Sequence, residues 1–520
     1  MYCQFNMTRL EPNLKIPVMS PAKPAAVVIG AGLGGLSAAM RLGSKGYSVT
    51  VVDRLERVGG RGSSVSRDGF RFDLGPTILT VPQVFEKLWQ DCGRDFAADV
   101  DLVPLDPFYE IRWQDGTRFQ VRSSEKDMLA EVSKNFPKDL KGYRKFLKDC
   151  EKRYVFGFEG LGRKPMNRLW DLLKELPGFI RLRADRSVYA HVSTRVKDPK
   201  FRMALSFHPL FIGGDPRNVT SMYILVSHLE KAFGVHYVKG GVQALADAMA
   251  GVVKEQGGQV LLNSNVETIT QNNQRASGVI LENGVHLNAE IVVSNADPGW
   301  TYNKLLRRHK KKRWSEKRLK KSRWSMGLFV WYFGTRNTRD KWQDVGHHTI
   351  LNGPRYRGLL SDIFDKCFLA DDMSIYLHRP SITDPSVAPK GDDCFYALSP
   401  VPNLKTATPI NWLQEVNSYK NRMRNVLEET IPGFSAHIVA EHILTPKDFE
   451  DRYLSPFGAG FSLEPRIFQS AWFRPHNISE EIENLYLVGA GTHPGAGIPS
   501  VVTSSEVLAQ LVADPVTGSS

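Results

Sequence analysis

AAVVIGAGLGGLSAAMRLGSKGYSVTVVD, running from Ala25 to Asp53, reads as strand, glycine turn, helix and strand. Ala25–Ile29 is an apolar run of strand length, and Leu33, Leu36, Met40 and Leu42 follow at near-helical spacing. Gly46 ends that helix. Ser48–Val52 is a second β-branched run that terminates in Asp53, 23 residues after Gly30. G-x-G-x-x-G at the strand-to-helix turn, with an acid at that distance, is the pattern of a dinucleotide-binding βαβ unit. Gly30 permits the tight turn, Gly32 admits a pyrophosphate close to the backbone, and Gly35 lets helix and strand pack closely. The helix N-terminus offers free N–H groups and a positive dipole to phosphate, while Asp53 accepts from a ribose diol and repels a 2′-phosphate.

Working outward, Arg57-Val58-Gly59-Gly60-Arg61-Gly62-Ser63-Ser64 sets a second glycine doublet between two arginines. Arg61 has the reach for phosphate or flavin, and a nicotinamide enzyme needs no second phosphate-facing loop here, so the pair of motifs favours FAD over NAD. At the other end, the strand-like Leu485–Val488 runs into Gly489-Ala490-Gly491-Thr492-His493-Pro494-Gly495-Ala496-Gly497-Ile498-Pro499 and then an amphipathic helix, Val501–Leu511. A second strand, turn and helix would return to the first unit. It would aim another helix N-terminus at the pyrimidine side of a flavin, where negative charge develops on hydride uptake.

The 520 residues are 42% hydrophobic and 24% charged, which supports a buried core over more than one lobe and excludes disorder. Cys3, Cys92, Cys150, Cys367 and Cys394 are scattered without a C-x-x-C pair, so a disulfide framework, a structural zinc site and any other metal site are not expected. That usage reads as a reducing compartment. No stretch has signal-peptide form or the length of an apolar span, so the expectation is a chain neither secreted nor membrane-spanning. The charge is concentrated: Lys304–Arg323 holds 12 Lys or Arg against one acid, Glu316, and carries 11 of the 13 net positive charges. Its expected partner is local and anionic.

Taken together, Arg57-x-Gly59-Gly60-Arg61-x-x-Ser64, Phe72-Asp73-x-Gly75-Pro76, Phe207–Gly214 (FHPLFIGG), Gly240-Gly241 and NLYLVGAGTHPGAGIP resemble the bacterial phytoene desaturase family of FAD-dependent carotenoid desaturases. The similarity extends from Ala25 to Leu511, and the C-terminal signature is its most specific part. Ser500 departs from the family, which commonly has glycine after Ile-Pro. The resemblance implies an α/β fold: a Rossmann-like FAD-binding domain, discontinuous in sequence, with an inserted α+β substrate domain. The expected flavin segments are 24–85, 240–300 and 456–512. Residues 86–239 and 301–455 are expected to contact substrate and membrane, with tails at 1–23 and 513–520. Within 240–300 the pattern suggests a helix at Ala244–Val253, strands at Val260–Asn263 and from Val266, a hairpin turn at Asn272-Asn273 and a strand ending at Ala296.

Motif and resemblance assign cofactor contacts to Gly30, Gly32, Leu33, Gly34, Gly35, Asp53, Arg54, Gly59, Gly60, Arg61, Gly75, Pro76, Val266, Gly489, Thr492, Gly495, Gly497 and Ile498. The implied substrates are phytoene and partly desaturated carotenoids, hydrocarbons gripped by an apolar tunnel. Candidate linings are Trp324–Phe333 and Phe207–Phe211, which read equally as core. The implied reaction introduces successive double bonds towards neurosporene or lycopene, with oxygen or quinone as electron acceptor. His208, Asp215, Glu464 and His493 sit beside motifs and are candidates for proton handling, without a base being assigned. Lys304–Arg323, with Leu305, Leu306, Trp314 and Trp324 interleaved, is expected to dock on an anionic membrane. That places the chain in the cytoplasm, peripherally on the bacterial inner membrane. A flavin-dependent carotenoid isomerase or other carotenoid oxidoreductase of the same fold is the alternative. A nucleic-acid-binding module would leave both glycine motifs unexplained, so no nucleic-acid partner is expected.

Overall fold

The computed structural model describes residues 23–406 and 410–515. A five-stranded, wholly parallel sheet is built in the order Leu485–Leu487, Ile291–Ser294, Ala25–Ile29, Ser48–Val52, Gln259–Leu261. The first strand is apolar throughout because both its faces are covered. Ala26 and Val28 point to a helical layer that includes Leu36, Met40, Leu245 and Val502. Val27 and Ile29 point the other way, onto Val266, Ile269 and Val279 of a three-stranded antiparallel sheet. Both termini of the chain are therefore needed to complete one sheet.

A second, seven-stranded mixed sheet has the order Ile438–Leu444, Gly327–Thr335, Asp393–Val401, Ile375–His378, His348–Asn352, Tyr109–Trp113, Arg118–Val121. All its pairings are antiparallel except His348–Asn352 with Tyr109–Trp113. Strand alternation splits Gly327–Thr335: Leu328, Val330 and Tyr332 join one core, Phe329, Trp331 and Phe333 another.

Several boundaries differ from the sequence reading. The helix expected at 244–253 spans Gly241–Glu255, and the C-terminal helix starts at Ile498, with Pro499 in its first turn where a missing N–H is harmless. The hairpin pairs Asn272 with Arg275, so its turn residues are Asn273 and Gln274, both left-handed as a two-residue turn requires. The expected N-terminal tail lies outside the described residues except for Lys23. At the other end Ala513 and Asp514 are held, by Tyr47 Oη and Lys45 Nζ respectively. No helix among the described residues is long and apolar enough to cross a membrane.

Candidate active site

One cavity of about 680 Å³ runs from the glycine turn, past the floor of the seven-stranded sheet, to an apolar mouth. At its polar end two helices, Leu33–Ser44 and Ile498–Leu511, start at Gly32 and Gly497 without a side-chain cap and without an acid in the first turn. Their N–H groups and dipoles face the same space. The helices are pinned together by Arg41, whose guanidinium donates to Ser505 Oγ. Gly34 closes this junction, because a Cβ there would lie 3.1 Å from both Gly489 Cα and Val501 Cγ1.

Asp53 is nearly buried on the cavity wall, where Oδ2 accepts from Ala31 N at 2.6 Å and Oδ1 from Leu55 N at 2.8 Å. Burial raises the pKa of its carboxyl against the pull of those two bonds. Arg61 reaches Ser455 Oγ at 2.8 Å and leaves its buried Nε without a partner. Gly75 lets its segment lie on the Arg61 carbonyl, which a Cβ would approach to 1.9 Å. Of the residues assigned to cofactor, Gly30, Gly32, Leu33, Gly34, Asp53, Arg54, Gly59, Gly60, Arg61, Gly75, Pro76, Val266, Gly497 and Ile498 line the cavity. Gly35, Gly489, Thr492 and Gly495 stand behind the wall: Gly35 packs on the Gly30 carbonyl, Gly489 on Asn295, and Thr492 is fully buried. Ser500 is on the wall, in the first turn of the C-terminal helix.

The donor set fits a dinucleotide: two open helix ends for a pyrophosphate, an acid for a ribose, and an orphaned buried guanidinium nitrogen. Glycine backbone at Gly32, Gly59 and Gly60 leaves space that side chains would fill.

Beyond this end the wall becomes apolar: Leu210, Phe211, Leu328, Val330, Tyr396 and Leu398. Of Trp324–Phe333 only Leu328 and Val330 line it, and Phe329, Trp331 and Phe333 face the opposite core. The mouth is formed by a helix absent from the sequence reading, Leu169–Arg181, which has no buried residue. Leu172 and Phe179 face the cavity, while Trp170 and Ile180 are each 63% exposed and the neighbouring Phe468 is 73% exposed.

The four proton-handling candidates separate. Asp215 is locked by Arg217 and Asn218 Nδ2, and Glu464 by Arg466 Nε and Asp215 N. These two hold a turn and do not line the cavity. His493 does line it, but Nε2 faces the Leu161 and Lys164 carbonyls, both at 3.1 Å, and burial pushes the ring down to about 4. His208 meets Glu230 Oε2 at 3.1 Å, and Tyr109 Oη donates to the same oxygen at 2.9 Å. Glu230, missed in the sequence, brings a carboxylate to the cavity wall.

The basic run also needs correction. Leu305, Leu306, Trp314 and Trp324 are 4% exposed or less, so they anchor the segment to the protein and do not point outward. Most of its lysines, with Arg307, Arg308 and Arg323, are what the segment presents. It abuts the mouth: Arg313 donates to the Trp472 carbonyl at 2.7 Å, and Arg323 N to Gln469 Oε1 at 2.9 Å.

Gly241 of the Gly-Gly motif lies on Asp73, whose Oδ1 a Cβ would meet at 2.2 Å. Burial pushes the Asp73 carboxyl up from 3.8 to about 7, so the folded protein holds a proton that the unfolded chain releases, and stability falls as pH rises through that window. Asp73→Asn is expected to gain on the order of 4 kcal/mol at about pH 8 and nothing at about pH 4, read from denaturant melts. An equal effect at both pH values would contradict it.

The sequence profile described as flavin containing amine oxidoreductase matches residues 33–513. A phytoene desaturase (neurosporene-forming) of Cereibacter sphaeroides is 62% identical over 96% of this chain and 97% of its own. A phytoene desaturase (lycopene-forming) of a Paracoccus species is 43% identical over 95% and 98%. Among solved structures, an oxidoreductase from Methanosarcina mazei superposes with a TM-score of 0.63 at 18% identity, covering 92% of this chain and 98% of that one, a likeness of fold. The chain belongs to the flavin-containing amine oxidoreductases and, within them, to the bacterial phytoene desaturases.

Proposed function

We propose that the protein is an FAD-dependent desaturase that introduces double bonds into phytoene, stopping chiefly at neurosporene, as the name of its 62% identical relative suggests. The observation that carries this reading is the continuous cavity, which joins two open helix ends to an apolar tube and an apolar mouth. FAD, when bound, supplies the acceptor for a hydride. The pyrophosphate falls to the glycine turn at Gly30–Gly35 and to Gly59-Gly60, the ribose to Asp53, and the flavin to Arg61, Pro76, Gly497 and Ile498. Segments 24–85, 240–300 and 456–512 then form the flavin domain, and 86–239 with 301–455 the substrate domain. A hydrocarbon offers no polar handle, so the aliphatic and aromatic wall orients it and keeps water out, each square ångström of contact contributing about 25 cal/mol. Glu230, held by Tyr109 and His208, gives that wall a negative group towards which positive character on an allylic carbon is stabilised.

Substrate entry is proposed from the bilayer. The exposed apolar face of Leu169–Arg181 and Phe468 enters the interface, while the adjoining lysines of Lys304–Arg323 meet anionic headgroups at about 1 kcal/mol each. Oxygen or a membrane quinone then takes the electrons, on the cytoplasmic face.

The test is to incubate purified holoenzyme with phytoene in anionic liposomes. Visible polyene bands up to neurosporene, with consumption of an added oxidant, are expected. Rearranged bands with no oxidant consumed would establish an isomerase instead.

A further inference from the structure

Under the apolar floor of the cavity, three histidines that belong to no sequence motif are buried together. His348 and His378 are cross-strand partners, His347 precedes the first, and their ring nitrogens come within 4.8 Å of one another. A chain of hydrogen bonds passes through them. Thr77 Oγ1 and Tyr376 Oη, both on the cavity wall, are 2.6 Å apart, and Tyr376 Oη is 2.6 Å from His348 Nδ1. Further on, His378 Nε2 is 3.0 Å from His347 Nε2, and His347 Nδ1 is 2.6 Å from Oγ1 of Thr383, which is partly exposed. The single break lies between the His348 and His378 rings, which stack at 5.1 Å between centroids and leave His348 Nε2 and His378 Nδ1 buried without a partner. A buried polar atom left unpaired costs about 1–3 kcal/mol, and two of them at one gap define a site for a bridging water.

We propose that this chain, completed by one water between His348 and His378, carries the proton of each desaturation from the cavity to the surface at Thr383. Resting on the desaturase reading, it gives that reaction the outlet that a dry hydrocarbon tunnel lacks. The polarity is consistent along its length. Tyr376 O–H donates to His348 Nδ1, His348 Nε2–H to the water, the water to His378 Nδ1, His378 Nε2–H to His347 Nε2, and His347 Nδ1–H to Thr383. Every ring accepts on the cavity side and donates on the outer side, as only a neutral imidazole can. Burial keeps them so, pushing His347 down to about 3 and holding His348 and His378 far below the usual histidine range. Tyr237 and Asp384 flank His347.

The balance closes. One C–H bond of the hydrocarbon gives up hydrogen and both electrons as hydride to FAD. The neighbouring C–H leaves its electrons in the new C=C bond and its proton on the Tyr376 oxygen, as the Tyr376 proton moves to His348. The hydrocarbon is oxidised by two electrons, the flavin is reduced by two, and one proton leaves at Thr383. A C–H beside a cationic carbon is acidic enough for a hydroxyl to accept its proton.

Holoenzyme in phytoene-loaded anionic liposomes, under anaerobic conditions with a pH-indicator dye, is expected to bleach its flavin and release one proton per flavin at the same rate. Absence of bleaching in the wild type overturns the desaturase reading itself. Given bleaching, His378→Phe and Tyr376→Phe are expected to slow proton release about tenfold or more at unchanged flavin content and melting temperature. Thr383→Val, at the surface, is expected to do the same without risk to the core. Wild-type release rates in the folded variants, or loss of release in Glu230→Gln alone, would overturn the proposal. A crystal structure of the holoenzyme is expected to show the water between His348 Nε2 and His378 Nδ1. A dry gap, or a metal ion ligated by the three rings, would refute it.

Discussion

Gly32→Val is expected to give a folded, colourless protein. Gly32 has an ordinary extended backbone (φ −72°, ψ 171°), so the backbone accepts a side chain and the larger penalty falls on the ligand. It caps the open helix end on the cavity wall, where a Cβ would already press to 2.9 Å on Asn295 Nδ2 and the two methyl groups would stand where a phosphate must approach. Losing direct contact with the helix N–H groups should weaken FAD binding by about 3 kcal/mol or more, a factor of roughly a hundred. Flavin absorbance per protein after gel filtration measures it, with far-ultraviolet circular dichroism as the control for folding. A fully yellow variant would remove the glycine turn from the cofactor site.

The second large effect belongs to the mouth. Trp170→Glu with Ile180→Glu should leave flavin content and melting temperature unchanged, since no residue of Leu169–Arg181 is buried. Each side chain withdrawn from the interface forfeits about 1.5–3 kcal/mol, so the pair should lower partition onto anionic liposomes by a hundredfold or more, with turnover of membrane-borne phytoene falling in step. Replacing Lys310, Lys311 and Lys312 by glutamine should cost about 1 kcal/mol each and only at low salt. Sedimentation with vesicles separates the two. Wild-type vesicle binding by the Trp170 and Ile180 double variant would refute docking through the mouth.

What could be read in advance from the amino-acid order was whatever is encoded locally. A parallel strand covered on both faces must be apolar throughout, and a turn into an open helix end must be glycine, so Ala25–Asp53 declares its structure within 29 residues. The return of the Gly489–Pro499 segment to that turn followed from the same logic applied twice. Glu230 could not be found so, because its partners His208 and Tyr109 lie 22 and 121 residues away and only the fold unites them. The histidine chain is equally non-local, joining Thr77 to Tyr376 across 299 residues. The mouth helix did leave a signal: Leu169, Trp170, Leu172, Leu173, Leu176, Phe179 and Ile180 cover too much of a helix for one buried face. The tryptophans of the basic run misled because periodicity shows which residues share a side and not which side meets solvent.

The strand Leu485–Leu487 and the helix Ile498–Leu511 are made long after the strand Ala25–Ile29, yet one is an edge of the central parallel sheet and the other supplies the second open helix end. Coenzyme capture therefore waits until translation has passed Leu511. A nascent chain that stops short of that helix lacks one of the two open helix ends, so no half-assembled redox centre forms ahead of it.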